Sequence, residues 1–315
     1  MRILITGGLG YLGARLAQYL ATNTIHSIQL GTRKNISTVD WLSQVKVVNT
    51  NWNSSFELEN ICQDVDIVIH LAGMNASDCM NNPTLALKVN GFSTKNLLQA
   101  AISKNVNRFI YLSSAHVYGS PLIGKIIEKS ATRNLHPYAT SHKAGEDIVR
   151  SANSKGEIEG IVIRLSNSFG PPVDVQTNCW SLLTNDLCRQ AAESSIMIIK
   201  NRVNERRDFI SLSNASRAIE HLINLPSNQL NDGLFNLGGE WSPTITEVAK
   251  ILSDRIYLLS GKNIIIKSQS LSNNSKSSKL DFDISKIKLT GFELINDRNK
   301  EFDNLIQFCF KNFGA

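Results

Sequence analysis

Four glycines near the start of the chain, Gly7, Gly8, Gly10 and Gly13, have the type and spacing to bind a phosphate group. They follow the short apolar run Arg2–Thr6 (RILIT) and precede Ala14–Ala21 (ARLAQYLA), which reads as a helix. Strand, glycine turn and helix in that order form a dinucleotide-binding context. Glycine permits the tight turn and lets backbone approach a pyrophosphate. The helix start then offers unpaired N–H groups and the positive end of its dipole. Gly8-x-Gly10-x-x-Gly13 and Gly7-x-x-Gly10-x-x-Gly13 overlap in that place, so Gly7, Gly10, Tyr11, Leu12 and Gly13 are the expected pyrophosphate contacts. A purely structural strand-to-helix turn is the alternative. The second strand ends in Gly31-Thr32-Arg33-Lys34, with no acid in reach for a ribose 2′-hydroxyl. Arg33 suits a 2′-phosphate instead, which predicts NADP in preference to NAD; a solvated basic turn is the competing reading.

A turn of this kind needs a sheet behind it, and strand and helix signals alternate through the first half. Ile25–Leu30 and Val45–Asn49 read as strands, and Asp66–Leu71, Phe109–Leu112 and Glu159–Leu165 as buried parallel strands. Leu85–Ser103 and His136–Ser151 carry helical spacing between them. Repeated β-α-β units imply right-handed crossovers and an α/β, doubly wound parallel sheet of the Rossmann type. After Phe169-Gly170-Pro171-Pro172 the pattern changes. Asn178–Ala192, Ser213–Leu225 and Thr244–Ser260 read as helices, Ile196–Ile199 as a strand, and Ser268–Ser278 as a polar surface loop. The expected organisation is a nucleotide-binding domain over 1–165 and a smaller substrate-binding lobe over 166–315, partly interleaved.

The 315 residues are 42% hydrophobic and 19% charged, an ordinary globular composition. The net charge is +6, but the basic residues are scattered and not interleaved with aromatics. This disfavours nucleic acid as a partner and remains compatible with a phosphate-bearing ligand. Five widely spaced cysteines without a CxxC pair read as reduced thiols, with no disulfide framework and no metal site. Neither a signal core nor a membrane-spanning run is visible, so a cytoplasmic protein without a membrane partner is expected.

Further motifs follow in a fixed order. They are His70-Leu71-Ala72-Gly73, Asn90–Ala101 (NGFSTKNLLQAA), Ser113–Gly119 (SSAHVYG), Tyr138–Glu146 (YATSHKAGE), Arg164–Asn167 with Gly170-Pro171, Arg207-Asp208-Phe209, and Phe235–Gly238 (FNLG). Together with the glycine turn, this series resembles the extended short-chain dehydrogenase/reductase family of nucleotide-sugar epimerases, dehydratases and reductases. The resemblance covers nearly the whole chain.

The resemblance implies roles residue by residue. Tyr138 matches the general acid/base that moves a proton at the sugar oxygen during hydride transfer, which requires its pKa of about 10 to fall. Ser114 matches the hydroxyl that hydrogen-bonds that oxygen, and Ser113 is the alternative. Four residues after the tyrosine the family has a lysine that holds the nicotinamide ribose; this chain has His142 there and Lys143 one position on. Either His142 replaces the lysine, or Lys143 reaches in, or catalysis is impaired. Leu71, Ala72, Gly73 and Asn90 match cofactor contacts, and Asn51 stands where the family often has an aspartate near adenine. Asn75, His116, Asn167 and Arg207 fall at substrate positions, the last two at those for a nucleotide diphosphate. Dehydratases carry an acid just after the active-site Ser/Thr, where this chain has Ala115 and His116, which argues against 4,6-dehydration. What remains is an NAD(P)-dependent nucleotide-sugar epimerase or keto-sugar reductase, as used in making polysaccharide precursors. A non-catalytic NAD(P)-binding sensor or scaffold and a ketoreductase of a non-sugar carbonyl are the rivals. Family members often pair, so a homodimer is a further implication.

Overall fold

The computed structural model describes residues 1–200, 203–268 and 278–314. Seven strands form its main sheet: β1 (Arg2–Thr6), β2 (Ser27–Thr32), β3 (Lys46–Asn49), β4 (Ile67–His70), β5 (Arg108–Ser114), β6 (Glu159–Leu165) and β7 (Leu234–Leu237). Their order is β7-β6-β5-β4-β1-β2-β3, with every pairing parallel. The order reverses between β1 and β4, the switch point where an open α/β sheet opens a crevice for ligands.

Both faces of the sheet are covered, as its uninterrupted apolar strands demand. Ile3 and Ile5 of β1 pack with Leu16 and Leu20 of helix α1 (Tyr11–Asn23), while Leu4 between them joins Leu58, Leu97 and Val149 on the other face. Those three come from α2 (Ser55–Cys62), α3 (Ser93–Ser103) and α4 (Pro137–Ser154). Helix α5 (Leu212–Asn224) lies beside α1, with Leu212, Ile219 and Leu222 in the first cluster. Each such side chain contributes about 1.5–3 kcal/mol on burial.

The seventh strand comes from the second half of the chain. Leu234 pairs with Val162 and Leu237 with Leu165, so β7 extends the main sheet at β6. Part of the second half forms a separate core in which Phe169, Leu187, Phe209, Leu252, Phe302 and Ile306 pack together, while Phe282, Ile287 and Phe292 join the first cluster. Two parallel strand pairs belong to this lobe, Asn167–Phe169 with Phe209–Ser211 and Ile196–Ile199 with Ile265–Ser268. The Ile245–Ser260 helix starts on a capping box between Thr244 and Glu247 and stops at Gly261, whose φ is +68°. Arg15 of α1 ties the two regions together by donating to Pro171 O and pairing with Glu301.

Several expected boundaries move. β2 begins at Ser27, and Ile25 is 99% exposed, too exposed for a buried strand. Helix α1 begins at Tyr11, three residues earlier than expected. Leu85–Ser103 is not one helix: Pro83–Leu87 runs into a π-turn at Lys88–Phe92 before α3 begins. The helix expected from Asn178 begins at Leu183. The serine-rich loop expected at 268–278 falls almost wholly outside the described residues. No helix among the described residues is long and apolar enough to cross a membrane, and no His/Cys/Asp/Glu group among them could hold a metal ion.

Candidate active site

At the switch point the glycine turn is as tight as a backbone can make it. Gly7 has φ +71°, and a Cβ there would lie 2.7 Å from Ala72 N; one on Gly13 would lie 2.2 Å from Gly7 O. Gly10 N donates to Gly7 O at 2.9 Å, and Gly10 is the N-cap of α1 with no side chain to occupy the first-turn N–H groups. The turn packs against the Leu71-Ala72-Gly73 segment after β4. Leu12 is buried, and the Tyr11 hydroxyl turns away to Gly170 O at 2.7 Å, so these two contribute backbone to the turn. Arg33 stands exposed after β2. Asn51 accepts from Asn53 N and donates to Glu57 at the start of α2.

Ser113 and Ser114 end β5 on opposite faces, as neighbours on a strand must. The Ser113 hydroxyl donates to Glu146 at 2.5 Å behind the sheet. The Ser114 hydroxyl accepts from His116 N at 3.2 Å and lies near enough to the Tyr138 phenol to act on its acidity. Tyr138 opens α4, whose N-cap His136 accepts from Tyr138 N. One turn on, His142 meets Tyr138 edge-on, with ring centroids 4.5 Å apart. Lys143, about 100° further round the helix, forms an ion pair with Asp147 at the surface. It lines a separate cleft of about 1540 Å³ with Glu128, Arg150 and Lys286, so the reading in which Lys143 reaches Tyr138 fails.

The electrostatics follow from burial. His142 is pushed down to about 4 by desolvation, so its imidazole is neutral near pH 7. Burial raises the Tyr138 phenol above its ordinary value; the Ser114 hydroxyl lowers it and Cys79 raises it slightly. Neither of these is a cation. The π-turn brings Asn90 against the loop after β4, where its Oδ1 accepts from Met74 N at 2.9 Å and its Nδ2 donates to Ser141 Oγ at 2.9 Å. Asn90 therefore locks the strand end to α4. His70 is structural: Nδ1 lies 2.6 Å from the Thr6 hydroxyl and Nε2 3.0 Å from that of Thr94, and burial holds it near 3.

Among the residues expected to meet substrate, His116 sits edge-on to Tyr138 at 6.4 Å, and its pKa is lowered by burial and by Arg207. Arg207 is itself paired with Glu205 at 2.8 Å. Asn167 Nδ2 donates to Asp208 O at 3.0 Å, and Asn75 caps the Ala76–Asn81 helix by accepting from Asp78 N at 2.8 Å.

Sequence reasoning passed over three further groups. Glu146 and Arg164 form a buried bidentate pair. Asp208 is fully buried and raised to about 7, accepting from Gly239 N and Trp241 N; Gly238 lies so close that a Cβ would stand 2.4 Å from Asp208 Oδ1. Tyr111 lies behind His142. Glu146, Arg164 and Asp208 stood inside quoted motifs without a role, and Tyr111 looked like one more apolar strand residue.

Residues 3–238 match the model of the NAD dependent epimerase/dehydratase family. The chain belongs to that family. Among its relatives is the dTDP-D-glucose 4,6-dehydratase of Mus musculus, 25% identical over 269 residues, 80% of this chain and 72% of that protein. The D-erythronate dehydrogenase of Haemophilus influenzae is 30% identical over 171 residues, 52% of this chain and 54% of that protein, about half its length. In fold, the chain is similar to UDP-glucuronic acid 4-epimerase from Bacillus cereus in complex with NAD, with a TM-score of 0.83 at 20% identity, 99% of this chain and 100% of that one covered.

The geometry fits the dinucleotide that this family takes its name from. The glycines let the Gly7–Gly13 turn pack against its own backbone and that of Leu71-Ala72, and the open first turn of α1 presents N–H donors to phosphate.

Proposed function

We propose that this protein is an NAD(P)-dependent nucleotide-sugar epimerase or keto-sugar reductase. The reading is carried by the meeting of Ser114, Tyr138 and His142 beside Gly73 at the carboxyl ends of β4 and β5. The nicotinamide, when bound, supplies or takes up the hydride at a sugar carbon. Tyr138 gives its phenolic proton to the sugar oxygen when a keto group is reduced, and takes one back when an alcohol is oxidised. Ser114 holds that oxygen by a hydrogen bond, and His142 offers a neutral imidazole to the nicotinamide ribose. A phenol without a neighbouring cation keeps its proton near neutral pH, which favours reduction, the proton-giving direction. Ala115 and His116 supply no acid to expel water, so dehydration is disfavoured. Arg33, with no carboxylate beside it at the end of β2, favours NADP.

A second reading has specific support: a dehydrogenase of a small hydroxy or keto acid lacking a nucleotide. Arg207 and Asn167, the candidate diphosphate contacts, are occupied by Glu205 and Asp208 O, and D-erythronate dehydrogenase is among the relatives.

Fluorescence titration with NADPH and NADH, followed by a panel of sugars with and without the nucleotide, tests both. Tighter NADPH binding and turnover confined to nucleotide sugars is the expected result. Turnover of free hydroxy acids alone would transfer the assignment to the second reading, and binding of neither coenzyme to folded, ligand-free protein would remove both.

A further inference from the structure

We propose that Tyr111 is a positioning residue that fixes the tautomer of His142, so that a neutral imidazole presents its Nε2–H beside Gly73. Only the identity of the group which that N–H meets rests on the function proposed above. Tyr111 stands on β5 and His142 on α4, and both are buried. The Tyr111 hydroxyl lies 3.0 Å from His142 Nδ1. Its other acceptors are poorer: Asn90 O is 3.4 Å away and already accepts from Thr94 Oγ1 at 2.8 Å, while His142 O is 3.5 Å away. The phenol therefore donates to Nδ1, and in a neutral imidazole the proton must then sit on Nε2, because the bond at one ring nitrogen sets the state of the other. Burial keeps the Tyr111 phenol protonated and His142 uncharged, so the pair is neutral and its direction rests on the acceptors within reach of the phenol.

The placement depends on a glycine. A Cβ on Gly145 would lie 2.5 Å from the Tyr111 hydroxyl, so only glycine lets the phenol pass under α4 to reach the imidazole. On the far side of the ring, Cε1 and Nε2 are the His142 atoms nearest Gly73, 3.5 and 3.8 Å from where its Cβ would be. The ring edge that carries the proton thus faces the segment following β4, and the edge that accepts faces the sheet. A lysine in this place would bring a charge on a flexible stem; the Tyr111–His142 pair brings an uncharged donor with a fixed direction.

The decisive measurement is the ¹⁵N–¹H correlation spectrum of histidine-labelled protein at pH 7 without added ligand, with the His142 signals assigned by their loss in His142→Gln. The expected pattern is that of an Nε2–H tautomer. Tyr111→Phe, which keeps the ring and its packing, should shift it to the Nδ1–H or an averaged pattern. The same variant should lower kcat about tenfold while leaving KM for the sugar within about twofold, the split expected of a group acting through another. A wild-type His142 that is Nδ1-protonated, doubly protonated or averaged overturns the proposal without any variant. An unchanged pattern in Tyr111→Phe overturns it as well. Correct tautomer shifts in a protein that turns over no nucleotide sugar would leave Tyr111 in its role and remove only the function proposed above.

Discussion

Arg164 sets its Nε and Nη2 on the two carboxylate oxygens of Glu146, at 2.9 and 2.6 Å, with both side chains essentially inaccessible to solvent. Ser113 donates to the same carboxylate. The pair therefore fastens α4, which carries Tyr138 and His142, to β5 and β6. Removing one partner leaves a buried charge uncompensated, a loss of about 3–5 kcal/mol. Glu146→Gln and Arg164→Met should each lower stability by that order in urea unfolding, and the double variant should lose less than the sum. Additive losses would show that the two side chains are not coupled.

Gly13→Ala should damage cofactor binding more than folding. The new methyl would stand 2.2 Å from Gly7 O, and the turn must open to admit it. Coenzyme affinity measured by nicotinamide fluorescence should fall at least about tenfold, or ~1.4 kcal/mol. Unchanged affinity would remove the turn from the binding site.

The His142 series separates charge from hydrogen bonding. His142→Lys should retain or raise turnover at pH 7 and move the rise of oxidation rate with pH to lower pH, because a cation beside Tyr138 favours its phenolate. His142→Ala should lower turnover, and Lys143→Ala should leave it unchanged, since Lys143 is paired with Asp147 at the surface. Thermal unfolding of each variant checks that the fold survives. Equal rates for His142→Lys and His142→Ala would deny His142 a part in the chemistry.

Acid sensitivity has a definite sign. His142 titrates near 4 in the folded protein and near 6.5 when unfolded. Between those values the unfolded chain binds more protons, so stability falls as pH drops from about 6.5 towards 4. His70, near 3 when folded, acts in the same direction. Asp208, raised to about 7, acts oppositely and gains stability on acidification. Urea midpoints at pH 7 and pH 4.5 should therefore draw together in His142→Gln relative to the parent protein, and an unchanged difference would contradict the assignment.

The sheet was readable wherever strands were continuous apolar runs, as at Arg2–Thr6, Asp66–Leu71 and Glu159–Leu165, because burial on both faces leaves that imprint. Residues 234–237 carried a recognisable motif, yet four residues cannot reveal that they pair with β6 across some seventy positions. The π-turn at Lys88–Phe92 was invisible for a different reason: its sequence keeps helical spacing, and tertiary contacts of Asn90 decide the extra residue. In the site, helical spacing alone put His142 and not Lys143 beside Tyr138. Tyr111 and Arg164, which meet His142 and Glu146 of that helix, come from β5 and β6, and no local signal announces such meetings.

The late arrival of β7 also bears on how the molecule assembles. Until Leu234–Leu237 has been synthesised and has reached Val162–Leu165, β6 is a bare sheet edge with unpaired N–H and C=O groups, a template for association with other chains. Closing that edge joins segments far apart in sequence, a slow kind of contact to form. A fragment ending at residue 165 would thus contain every glycine of the phosphate turn and still present an adhesive border. The edge of β6 is therefore closed only by residues made some seventy positions later.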